Sequence, residues 1–122
     1  IMDTLFRVLP PFPANRVAQA GALAALSDYD FVDKVIKENN SGRAYLCGEF
    51  EKLGLSFVES WTNYIFVDVK REALSLSADL LKLGFIIRPG GGWGYSTCCR
   101  ISIGTMDQNE KFIAALKKVL NS

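Results

Sequence analysis

The chain is 122 residues long and 49% apolar, with 14 basic and 13 acidic side chains, no histidine and a net charge of +1. That length accommodates one domain with a single core, and the balanced charge, without any Lys/Arg run, argues against a nucleic-acid partner. The lack of histidine removes the commonest metal ligand and general base, and no apolar stretch approaches the roughly 18 residues of a membrane span, so no membrane partner is expected.

The first residues carry Leu5, Phe6, Val8 and Leu9 and run into Pro10, Pro11, Phe12 and Pro13. Prolines so placed make a stiff extended segment. Residues 1–13 therefore read as a connector to a preceding domain, and 14–122 as the domain itself. Asn15 is a cap for a helix over 16–26, rich in alanine and apolar on nearly its whole circumference. Such a helix expects cover from another domain or subunit, and self-association of the chain without it.

Ser27 with Asp30 has capping-box spacing for a second helix over about 28–53, closed by Gly54 in the left-handed conformation. Asn39, Asn40, Ser41 and Gly42 are poor helix material and offer an alternative break. Strands are expected over Leu55 to Val58 and Asn63 to Val69. In the second, Ile65, Val67 and Val69 share one face and Tyr64 and Phe66 the other, as in a central strand covered on both sides. Asn63 is either a turn residue bonding to its own backbone or a group aimed at a ligand.

Glu72 to Leu83 forms a third helix with Leu76, Leu80 and Leu83 on one stripe and Gly84 closing it. A short strand over Phe85 to Arg88 should stop at Pro89, which has no backbone donor. Gly90, Gly91, Gly92 and Gly94 surround Trp93 in a loop able to approach a ligand or to move. A strand over Cys99 to Gly104 points Ile101 and Ile103 to the core, and Arg100 and Ser102 away from it. Thr105 and Gln108 then start a last helix that buries Phe112, Ala115, Leu116, Val119 and Leu120. The order implies an α+β domain, a mostly antiparallel four-stranded sheet with helices on one face.

Arg88 and Arg100 are the candidate site residues. A guanidinium on the polar side of a strand suits a carboxylate or phosphate held by two parallel hydrogen bonds. An internal ion pair or plain exposure is the bland alternative. Cys47, Cys98 and Cys99 are odd in number with two adjacent, which speaks for small core fillers and a reducing, cytoplasmic setting over a disulfide framework.

The chain carries, in this order, Pro11-Phe-Pro-Ala-Asn15, Ala18-Gln19-Ala20, Asn63-Tyr-Ile-Phe-Val67, Ile86-Ile-Arg-Pro89 and Arg100-Ile-Ser-Ile-Gly-Thr105, followed by Asn109, Glu110 and Phe112. Together they resemble the C-terminal part of the histidinol-phosphate aminotransferases, within the fold type I, pyridoxal-phosphate-dependent enzymes. The likeness departs from the family at Pro13, where asparagine is usual, and at Cys98 and Cys99. It implies a small domain that closes over the substrate, with the large cofactor-binding domain absent from this chain.

In that family the arginine matching Arg100 grips the substrate α-carboxylate, and the one matching Arg88 lies near the phosphate end. The implied activity is amino-group transfer between histidinol phosphate or a similar amino acid and 2-oxoglutarate, in histidine biosynthesis, by a homodimer with pyridoxal 5'-phosphate. The chain alone is expected to bind no cofactor and no metal, to contain no catalytic residue and to be inactive. A related enzyme such as threonine-phosphate decarboxylase, and a stand-alone anion-binding or partner-binding module, stay open as alternatives.

Overall fold

The asparagine at position 15 does cap a helix: its Oδ1 accepts the Ala18 N–H at 2.9 Å, and α1 runs Arg16–Ala25. The computed structural model describes residues 14–121 together with Thr4, Arg7 and Val8, the last three with helical backbone. Most of the expected connector, its prolines included, lies outside the described residues. The chain divides into two compact units, residues 1–34 and 35–122. In the first, α1 buries none of its residues, and Val17, Leu23 and Leu26 are exposed.

Helix α2 spans Tyr29–Lys52 without a break. Its cap is Asp28, whose Oδ1 accepts the Phe31 N–H at 3.1 Å, not the expected Ser27. The carboxylate at 28 is one residue closer to the helix and offers a stronger acceptor for the free first-turn donors. Gly54 closes the far end with φ 67. The Asn39 to Gly42 stretch stays helical because Gly42 is buried in a contact that only glycine allows. A Cβ there would lie 2.7 Å from both Asn109 Nδ2 and Ile103 Cγ2. What reads as a helix breaker is a point of close approach.

The sheet comprises β1 (Ser56–Val58), β2 (Tyr64–Asp68), β3 (Arg88–Pro89) and β4 (Cys98–Ser102), in the order β1-β2-β4-β3 with every pair antiparallel. Helices α3 (Ala73–Lys82) and α4 (Met106–Leu120) complete the fold. The result is the α+β arrangement expected from the sequence. On one face Ile65, Val67, Cys99 and Ile101 meet Leu46 and Phe50 of α2, Leu76 and Leu80 of α3, and Phe112 and Leu116 of α4 in one buried cluster. Helix α4 begins with a complete Thr105–Gln108 capping box.

Three expectations shift. Leu83 is not on the buried stripe of α3 but exposed, because the helix ends at Lys82 and the chain turns there. Pro89 does not end the third strand but belongs to it. The strand lies at the sheet edge, where a residue without an N–H leaves no ladder bond broken. Phe85 to Ile87 carry no ladder and are tied to helices instead, with Phe85 N–H donating to Leu80 O at 3.0 Å and its ring 5.7 Å from that of Phe112. Finally, the core helices α2, α3 and α4 meet β2 on the face of Ile65 and Val67, and on the other face Phe66 meets Trp93 and Tyr95.

Candidate functional site

Alternation along β4 turns Cys99 and Ile101 into the core and leaves Arg100 and Ser102 on the opposite face. Arg88 is the register partner of Arg100 across the β3–β4 ladder. Directly opposed residues in an antiparallel pair share a face with their Cβ atoms about 5 Å apart. The two arginines are therefore neighbours on the open side of the sheet, Arg88 exposed and Arg100 half-buried. Phe66 is opposite Arg100 on its other flank, so the row across the sheet reads Phe66, Arg100, Arg88.

Both guanidinium groups rest on aromatic rings. Arg100 Cζ is 5.1 Å from the centroid of Tyr64, and Arg88 Cζ is 5.1 Å from that of Trp93. Neither forms an ion pair with an acidic side chain among the described residues, where ion pairs include those of Lys52 and Lys117 with Glu49, Lys82 with Asp79 and Lys111 with Asp107. No acidic partner that would make them structural pairs with them among the described residues. Both line a single cleft of about 770 Å³ with Glu72, Ile86, Gly91 and Ser102. Glu72 is occupied as the cap of α3, accepting the Ser75 N–H at 2.6 Å.

The glycine-rich loop turns back through a short 3-10 turn at Gly91–Trp93, where Trp93 N–H donates to Gly90 O at 2.9 Å. Gly90 sits where a Cβ would be 2.9 Å from both the Cys98 and Tyr95 carbonyl oxygens, which brings the loop hard against the sheet. Asn63 contributes its backbone: its carbonyl accepts the Ile103 N–H at 2.9 Å and extends the ladder. The turn before it is built by hydroxyls, with Ser60 Oγ and Thr62 Oγ1 donating to Tyr64 O at 2.5 and 3.2 Å.

Of the cysteines expected to be fillers, Cys99 is in the core and Cys47 packs against it, whereas Cys98 is half-buried on the strand beside them. Burial, then Cys98 and Asp68 nearby, push the Cys99 thiol up to about 12, so it stays protonated and unreactive. Among the described residues no group of three or more His, Cys, Asp or Glu is arranged to hold a metal, and no helix is long and apolar enough to cross a membrane. Sequence reasoning missed Tyr64 and Trp93 as partners of the arginines. The alternation that put Arg100 on the open face also put Tyr64 there, but their meeting depends on the β2–β4 register.

The profile described as "Aminotransferase class I and II" matches residues 1–116. The histidinol-phosphate aminotransferase of Moorella thermoacetica is 44% identical over 120 residues, covering 98% of this chain and 31% of that protein. Histidinol-phosphate aminotransferase 2 of Pseudomonas aeruginosa is 43% identical over 120 residues, covering 98% of this chain and 32% of its own length. The crystal structure of the Sinorhizobium meliloti histidinol-phosphate aminotransferase, in complex with pyridoxal-5'-phosphate, superposes with a TM-score of 0.80 at 26% identity, covering 98% of this chain and 33% of that one. The chain thus spans about a third of the length of the relatives it matches.

Proposed function

Since this chain belongs to the class I and II aminotransferase family, we propose that it is the substrate-gripping C-terminal part of a longer, pyridoxal-phosphate-dependent aminotransferase. Residues 14–122 would form its small domain and 1–13 the link to a large domain, in a cytoplasmic homodimer. The substrate would be histidinol phosphate or a similar amino acid, with 2-oxoglutarate as amino acceptor, in histidine biosynthesis. What supports this choice is the name carried by the relatives from Moorella and Pseudomonas. The observation that carries the reading is the juxtaposition of Arg88 and Arg100 in one cleft with no acidic partner among the described residues.

Pyridoxal phosphate is held by such enzymes through a lysine amine. No lysine lines the cleft, so its residues do not fit that anchor, and we assign the anchor to the remainder of the longer protein. This chain's share of the work is binding and orientation. Arg100, half-buried and over the ring of Tyr64, would hold a carboxylate by two parallel N–H donors, fixing the substrate in one pose. Arg88, at the exposed edge, would take a phosphate. Lysine keeps the charge at position 100 but not the planar fork. In the longer protein Arg100→Lys is expected to lower kcat/KM about 100-fold, the size of loss that misplacing a substrate brings. Steady-state kinetics with wild-type efficiency would overturn the assignment.

A further inference from the structure

We infer that Trp93 is a positioning residue for anion recognition, acting through Arg88. The inference rests on the proposed role of Arg88 as an anion ligand. Arg88 is exposed on an edge strand of two residues. A long side chain in that setting, without an acidic partner among the described residues, would give up most of its rotamer freedom on gripping a ligand. The indole beneath it removes part of that loss in advance. At 5.1 Å from the ring centroid the guanidinium lies within the range of about 6 Å for cation–π attraction. An attraction between the cation and the ring face takes up none of the acceptors that an anion offers, so the guanidinium N–H groups can still meet one.

The shelf is itself secured to the sheet. Trp93 packs against Phe66 with centroids 6.4 Å apart, and Phe66 also takes the edge of Tyr95 at 5.6 Å. Phe66 stands opposite Arg100, so the ring behind Trp93 belongs to the strand that flanks the second arginine. Trp93 is 48% exposed, too open for a residue kept only for core packing. It is not among the residues that line the cleft, to which the loop contributes Gly91 and Gly92. Whatever it does for a ligand there, it does by holding Arg88.

The test is a titration of the 122-residue chain with inorganic phosphate. Binding is followed by nuclear magnetic resonance of the Arg88 Nε–H and the Gly91 and Gly92 amides, with the Trp61 indole signal as internal reference. Trp93→Leu is expected to raise the phosphate concentration at the midpoint about two- to fivefold, the worth of an exposed cation–π contact. Trp93→Phe, which keeps a ring, should stay within about twofold of wild type, and the melting temperature of that variant should be unchanged. Phe66→Leu, removing the ring behind the shelf, should weaken binding in the same direction and serves if Trp93→Leu does not fold. A wild-type midpoint in Trp93→Leu or Phe66→Leu, with binding abolished in Arg88→Gln, overturns this inference alone. Unchanged binding in Arg88→Gln overturns the anion-ligand reading of Arg88 and the inference with it.

Discussion

At position 42 helix α2 meets α4 and the segment before it so closely that an added methyl group would stand 2.7 Å from Ile103 and from Asn109. Alanine is the better helix former by about 1 kcal/mol, yet Asn109 has nowhere to retreat. Its Oδ1 accepts the Gly104 N–H at 2.9 Å and its Nδ2 donates to Gly104 O at 3.0 Å. Gly42→Ala is therefore expected to destabilise the chain by about 1–3 kcal/mol, the usual cost of overpacking. Urea denaturation checks this, and a stability gain would show that propensity wins. The sequence around this residue is ambiguous because glycine signals flexibility and close contact alike. Arg100 was easier to place, since a two-residue period needs no partner to be read. That Arg88 stands opposite it was not legible, because cross-strand register is fixed by packing between distant parts of the chain.

Among the elements, α2 and α4 are held together by more than apolar surface. Glu49 on α2 is buried and accepts from Lys117 of α4 at 2.6 Å and from Lys52 at 2.7 Å. The Lys117 hydrogen bond first, then that of Lys52, holds its carboxyl below the ordinary carboxylate range. A lowered folded-state value means that the contribution is present above the unfolded value of about 4.3 and lost as pH falls through the folded value. Glu49→Gln should melt below wild type at pH 7, with the gap closing on acidification beneath about pH 4. A gap constant from pH 7 to pH 3, read by thermal melts, would refute the linkage. Element types were legible from caps and periodicity, as Asn15, Thr105 and Gln108 show. The third strand was misplaced because Phe85, Ile86 and Ile87 have strand composition, whereas Phe85 and Ile87 are claimed by α3 and α4. Phe85 N–H bonds to Leu80 O, and Ser77 Oγ donates to Ile87 O at 3.5 Å.

For the whole molecule, Tyr64, Phe66, Arg88 and Arg100 share the sheet face opposite the core, and α1 by itself buries none of its residues. The chain spans about a third of the length of the relatives it matches. The architecture, helices on one sheet face included, could be anticipated from the alternation of helical and strand patterns, but the packing of Phe66 against Trp93 and Tyr95 on the other face could not, because Tyr64 and Phe66 are as apolar as residues meant for a core. The opposed arginines carry a further consequence for the chain in solution. Like charges across a ladder repel, and the described acidic side chains do not neutralise this pair. Added sodium chloride should screen the repulsion and raise the melting temperature, with Arg100→Gln losing most of that gain. A wild-type chain that melts lower as ionic strength climbs would mean that the repulsion is negligible, whereas the expected rise would make the unliganded fold a spring that an incoming dianion releases.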